Sequence, residues 1–187
     1  MMHKKIIAAC WLMLASVLMA QPYRPVKENI PAVTREFRGA WAAVIYNIDW
    51  PSKSTLSAAA QKAEMVAILN RMVELRMNAL IFQVRPQCDA VYESSREPWS
   101  SWLTGTMGKS PGYDPLAFTV AEAHRRGIEV HAWFNPFRAQ ANAATPVAPN
   151  HISRSAPNLT KQYATMKWCD PAIPETRTRA LAAMLDV

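Results

Sequence analysis

Three short apolar runs, separated by stretches of helical spacing, constrain the fold of this 187-residue chain more than any other feature. Phe37–Ile45 (FRGAWAAVI) reads as a first strand. Lys62–Met77 then places Met65, Ile68, Leu69, Met72, Val73 and Leu75 at the intervals of one helix face. Asn78–Pro86 (NALIFQVRP) returns to strand pattern and is closed by its proline. Pro115–Arg126 is helical, with Asp114 as N-cap, Pro115 at the first helical position and Gly127 as the stop. Glu129–Phe137 (EVHAWFNPF) is the third strand. Strands that alternate with helices pair in parallel through right-handed crossovers, which leaves a doubly wound sheet or a closed barrel. A dinucleotide-binding sheet wants a glycine-rich turn after its first strand. Here that turn reads Ile45-Tyr46-Asn47-Ile48-Asp49-Trp50-Pro51-Ser52, without a glycine. Polar residues at successive strand ends (Gln83 and Arg85, then Asn135 and Arg138) favour the barrel, which gathers its site there. A barrel takes ~250 residues. Only three strands are visible, between Phe137 and Thr176 few regular features stand out, and Thr176–Val187 reads as a helix burying Leu181, Met184, Leu185 and Val187. The expectation is the N-terminal portion of a (β/α)8 TIM-type barrel, about three βα units, truncated near the end of a helix.

The first residues carry a different signal. Lys4 and Lys5 precede a nearly unbroken apolar run, Ile6 to Ala20, which Gln21-Pro22 ends after a small residue. That is the build of a secretory signal peptide, and it is shorter than the roughly 20 apolar residues of a permanent membrane span. The expected organisation is a signal peptide at 1–20, a proline-containing linker at 21–35 and a partial barrel domain at 36–187, in an exported protein of the periplasm or cell envelope. Ile7-Ala8-Ala9-Cys10 offers an alternative, lipid anchoring at Cys10. The formal net charge is +7, but the basic residues form no stripe interleaved with aromatics, so nucleic acid is not an expected partner. Cys88 and Cys169 lack metal-ligand spacing, and two separate thiols are expected of them rather than a pair. His131 has no second ligand at metal spacing, so neither a metal nor another cofactor is expected.

Gln83 and Arg85 share one face of their strand, as do His131, Trp133 and Asn135. On a barrel such residues either line the mouth or brace it. Seven tryptophans are many for this length. Trp50, Trp99 and Trp102 fall in loops after strands, where flat rings can stack on the C–H face of a sugar or staple the loops down. Glycoside hydrolysis needs two carboxyl groups flanking the bond. Asp49, Asp89, Glu93 and Asp170 lie in strand-following loops, and spacing singles out no catalytic pair. Asp89 and Glu93 remain candidates that could equally be turn and surface residues.

In order along the chain stand Arg38-Gly39-Ala40-Trp41, Asp49-Trp50-Pro51, Phe82-Gln83-Val84-Arg85-Pro86, Pro98-Trp99-Ser100, Leu103-Thr104-Gly105, Pro111-Gly112-Tyr113-Asp114-Pro115-Leu116 and His131-Ala132-Trp133-Phe134-Asn135-Pro136. Together with Asp170-Pro171-Ala172-Ile173-Pro174-Glu175 they resemble the glycosyl hydrolase-like 10 family, the DUF187-type bacterial glycosidases, from about Glu36 onward. The resemblance implies a (β/α)8 barrel acting on glycosidic bonds, with peptide-free peptidoglycan glycan strands or a related polysaccharide as partner. It implies Trp41, Asp49, Trp50, Gln83, Arg85, Trp99, His131, Trp133, Asn135, Arg138 and Asp170 as substrate-binding candidates. It also implies that the main catalytic acids belong to a fourth strand beyond Val187. The alternative is a non-catalytic glycan-binding remnant.

Overall fold

A computed structural model describes residues 36–187. The expected signal peptide, the linker and Cys10 lie outside the described residues. Strand β1 (Gly39–Ala42) leads through a long loop with a 3-10 turn at Ile45–Asn47 to helix α1 (Ala58–Glu74), then β2 (Ala79–Arg85), a one-turn helix α2 (Ser101–Thr104), α3 (Pro115–His124) and β3 (Glu129–Phe134). The three strands form a parallel sheet in the order β1-β2-β3, with Gly39 beside Ala79 and Ala79 beside Glu129. The sequence specifies the crossovers closely. The Ser57 hydroxyl accepts from the Ala60 N–H at the start of α1. Its buried stripe, Gln61, Met65, Leu69 and Met72, follows the helical period. Helix α3 opens on the expected cap, Asp114 Oδ1 accepting from the Ala117 N–H at 2.8 Å, with Pro115 in the first turn. It ends at Gly127, whose φ of +69° suits glycine.

The core lies on one face of this sheet. Leu80, Phe82 and Val84 point toward Met65, Leu69 and Met72 of α1 and Leu116 and Ala123 of α3. By strand alternation and register, the opposite face carries Gly39 and Trp41, then Ile81 and Gln83, then His131 and Trp133. Gly39 is needed there, because a Cβ would sit 2.8 Å from both Ile81 and Phe37. This second face is partly open: Trp41 is 65% exposed, edge-on to Trp133 at 5.0 Å.

Two expectations need correction. The segment after β3 holds a second sheet, antiparallel in the order β4-β6-β5, built from β4 (Arg138–Gln140), β5 (Thr160–Tyr163) and β6 (Met166–Cys169), with a short helix α4 (Ile152–Ser155) between β4 and β5. Its strands are three or four residues long and mostly polar, too short for an alternation to register. The β5–β6 hairpin turns at Ala164, φ +51°, where Asn or Gly would have announced the turn. The last helix, α5 (Pro174–Met184), buries Thr176, Ala180 and Ala183, not the expected large residues. Leu181, Met184, Leu185 and Val187 face outward, Leu185 being 77% exposed. Small side chains allow close approach, and the Tyr92 hydroxyl reaches the Ala183 carbonyl at 3.2 Å. Among the described residues no helix is long and apolar enough to cross a membrane.

Candidate functional site

The carboxyl ends of the three parallel strands build two neighbouring environments. The first begins at Gln83, wholly buried at the end of β2 on the face opposite the helices. Its Oε1 accepts from the N–H groups of Val44 and Ile45, both at 2.9 Å. This fixes the departure of the chain from β1 into a loop where Tyr46 and Asn47 both have positive φ. Asp49 Oδ2 accepts from the Ala43 N–H at 2.8 Å, closing the same loop. Asn47 Nδ2 donates to the carbonyls of Pro51 and Trp102, tying this loop to the one after β2. The result is an outward Tyr46, 56% exposed, tilted against the Trp102 ring at 5.1 Å.

Trp102 stands in the wall of a groove of about 590 Å³. Its lining comes from three connections: Ser54 after β1, Trp102, Thr106 and Met107 after β2, and Thr145–Pro149 after β4, in the long segment that follows β3. The volume falls within the range of small-ligand sites. The lining combines hydroxyls with an indole, a thioether and prolines, and none of it is charged. The Trp102 indole N–H is buried without a partner, a donor that costs about 1–3 kcal/mol if it stays unpaired. Hydroxyl-bearing walls and an aromatic flank suit an uncharged, hydroxyl-rich ligand with an apolar ring face.

The second environment is mostly buried and opens only into a small cavity of about 90 Å³ lined by Arg85, Cys88, Glu97, Pro136 and Cys169 among others. Arg85 ends β2, after an irregularity in its pairing with β3 that follows Gln83. Its guanidinium bonds Glu97 through both oxygens (2.5 and 2.7 Å), the carbonyls of Asn135 (2.7 Å) and Pro136 (3.1 Å), and the Cys88 sulfur (3.1 Å). Burial opposes its charge, but the Cys88 sulfur and the Glu97 carboxylate outweigh burial and hold the guanidinium above its ordinary pKa. Asp89 is fully enclosed nearby. Burial pushes its carboxyl up to about 6, against the Ser100 hydroxyl and the Gln87 N–H that favour ionisation. His151 is also interior, its Nδ1 accepting from the Ser153 N–H while Nε2–H donates to the Gln87 carbonyl at 3.0 Å. Burial lowers its pKa, so the neutral ring is the stable form.

The expected site residues therefore divide. Trp41, Trp133 and Asn135 form one connected set, with Trp133 Nε1 donating to Asn135 Oδ1 at 3.1 Å and Asn135 Nδ2 donating to the Pro86 carbonyl, and Gln83 stands beside Trp133 in strand register. Arg85 touches Asn135 only through the main chain and spends its donors inside the protein. His131 sits two residues back along β3, against Phe37 at 5.4 Å and Glu129 at 3.3 Å, and does not join them. Trp50, expected on an open loop, is 0% exposed: its N–H donates to the Gln61 carbonyl and its ring packs edge-on to Phe82. A flat ring that finds a partner for its one polar atom belongs in a core. Trp99 is half-buried against the core, and the Arg138 guanidinium lies over the Trp168 ring at 5.7 Å. Asp170 accepts from the Ala172 N–H, capping its own turn. Of the catalytic candidates, Asp89 is enclosed and Glu93 is an exposed residue whose N–H donates to Asp114. Sequence reasoning missed Ser54 and Thr145–Pro149 in the groove, and Tyr46 beside its Trp102 wall. The tryptophan-rich loop signalled Trp102, but the Thr-Pro-Val-Ala-Pro stretch carries no signal until the fold brings it across.

Comparison with known proteins adds to this geometry. The family model for glycosyl hydrolase-like 10 matches residues 36–187. Glycosyl hydrolase YngK of Bacillus subtilis is 45% identical over 145 residues, covering 76% of this chain and 28% of that protein. Glycosyl hydrolase DigH of Escherichia coli K12 is 34% identical over 201 aligned positions, covering 92% of this chain and 45% of its own length. The chain thus spans less than half the length of either relative.

Proposed function

The chain belongs to the glycosyl hydrolase-like 10 family, and from that premise we propose that it is an envelope glycoside hydrolase component that holds a polysaccharide in the groove beside Trp102. Peptidoglycan glycan strands freed of their peptides are the proposed ligand. The single observation that carries this reading is the convergence of three strand-following loops on one uncharged, hydroxyl-bearing groove flanked by an indole. The names of the two relatives, both glycosyl hydrolases, support the reaction class. In this reading the parallel sheet is the opening of a (β/α)8 barrel, residues 1–20 direct export and residues 21–35 link that leader to the domain. Lipid attachment at Cys10 is the alternative route to the envelope.

Within the described residues the division of labour is specific. Tyr46 and Trp102 take the sugar's C–H faces, while Ser54, Thr106 and Thr145 hydroxyls meet its polar edge. Gln83, Asp49 and Asn47 position the loops that present these groups. No carboxylate lines this groove, and Glu97 is held by Arg85. This observation favours a second reading, in which residues 36–187 bind glycan without cleaving it. The test is incubation with purified, peptide-free glycan strands, read by quenching of tryptophan fluorescence and by release of new reducing ends. Binding with cleavage supports the hydrolase reading, and binding alone supports the second. No quenching at millimolar sugar would remove both.

A further inference from the structure

We propose that Cys88 and Cys169 are a disulfide-forming pair that staples the loop after β2 to strand β6. The two residues are 81 apart in sequence, yet their sulfurs lie 3.6 Å apart in the interior, both as free thiols. A disulfide needs about 2.05 Å between sulfurs, a closure within reach of small side-chain rotations. The main chain is already fixed on the β6 side, where Cys169 N–H donates to the Phe137 carbonyl at 2.7 Å. Cys88 has a φ of +52°, a conformation that residues other than glycine and asparagine avoid, and its sulfur is turned toward Cys169. The same sulfur lies 3.3 Å from the Arg138 carbonyl and 3.1 Å from the Arg85 guanidinium.

The pair is chemically unequal. Cys169 is the more acidic thiol because Cys88 hydrogen-bonds to its sulfur, with Arg85 adding to the effect. Cys88 is held above the ordinary thiol range by that same bond and by burial. Thiolate is the nucleophile in disulfide exchange, so Cys169 makes the first attack. The oxidant is a low-molecular-weight disulfide. The Cys169 thiolate attacks one of its sulfurs, its S–S bond breaks, and one thiolate leaves. The Cys88 thiolate then attacks the Cys169 sulfur and expels the second. The two protons of the pair end on the two released thiols, and the two electrons reduce the oxidant.

The experiment is refolding of the Cys10→Ser chain from denaturant in a mixture of oxidised and reduced glutathione, followed by alkylation and peptide mapping. Refolding exposes both sulfurs, so access does not limit the outcome. The expected result is one cross-linked peptide pair containing Cys88 and Cys169, reversed by reductant. A melting temperature raised by about 10 °C over the reduced chain accompanies it, from loop closure over this span. Cys88→Ala and Cys169→Ala each abolish the shift. If either variant fails to fold, the map of the parent decides alone. Recovery of both cysteines as free thiols, or of each capped singly by glutathione, would overturn the proposal.

Discussion

Gln83 and Arg85 stand two residues apart at the end of the same strand, and the fold uses them in opposite ways. Gln83 uses its acceptor to shape the β1 loop that sets Tyr46 against Trp102, a wall of the groove. Arg85 is consumed by Glu97, two carbonyls and a sulfur. The comparison teaches that a polar residue at the carboxyl end of a parallel strand is not thereby a ligand residue. What decides is how many of its hydrogen-bonding groups the protein itself satisfies. A guanidinium has five donors in a rigid fork, and here the surrounding loops meet them. The Arg85 side is then expected to govern stability and the groove beside Trp102 to govern sugar binding.

The largest effect expected from separating the two sides is in Arg85→Met. It strands the Glu97 carboxylate in a mostly buried position and costs about 3–5 kcal/mol, read as a lowered denaturation midpoint. The double variant Arg85→Met with Glu97→Leu recovers most of that loss. A single variant with unchanged stability would break the comparison.

Asp89→Asn probes the same buried side by pH. Its folded pKa, about 6, lies above the ordinary carboxylate value, so its stabilising contribution is full below about pH 4 and is lost as pH rises through 6. The Asn variant therefore matches the parent near pH 4 and exceeds it at pH 7 by on the order of 3 kcal/mol, seen in paired unfolding curves. Equal curves at both pH values would show that burial does not raise the carboxyl's pKa.

Gln83→Leu keeps the bulk and removes the acceptor, leaving the Val44 and Ile45 N–H groups without it. We expect a loss of about 1–3 kcal/mol, together with weaker glycan binding as Tyr46 loses its fixed position. A loss of stability with full affinity would sever the loop from the groove.

Much of the scaffold was legible in the sequence because local signals and tertiary packing agree there. The Met65, Leu69 and Met72 part of the α1 stripe (Val73 and Leu75, also expected there, are exposed), the Asp114–Pro115 helix start, the Gly127 stop and the apolar run of β2 each have a single physical solution. The antiparallel sheet was not legible, since its strands are short and its turn uses alanine where glycine or asparagine is the usual sign. Helix α5 misled because size is no guide to facing when close approach demands alanine and threonine. Of the candidate site, sequence spacing could place Gln83, Trp133 and Asn135 at strand ends. It could not tell that Trp50 turns inward, that Arg85 finds internal partners, or that Cys88 meets Cys169 across 81 residues. Those outcomes depend on loops whose paths only the fold defines.

The most direct measurement is calorimetric titration of a defined, peptide-free glycan oligosaccharide into the parent chain and into Trp102→Ala, with folding of each checked by its thermal transition. The account predicts binding by the parent and a Kd raised roughly 10- to 100-fold in the variant, the loss of one stacked indole at about 1–3 kcal/mol. An unchanged Kd in a folded Trp102→Ala would contradict the assignment of this groove as the saccharide site.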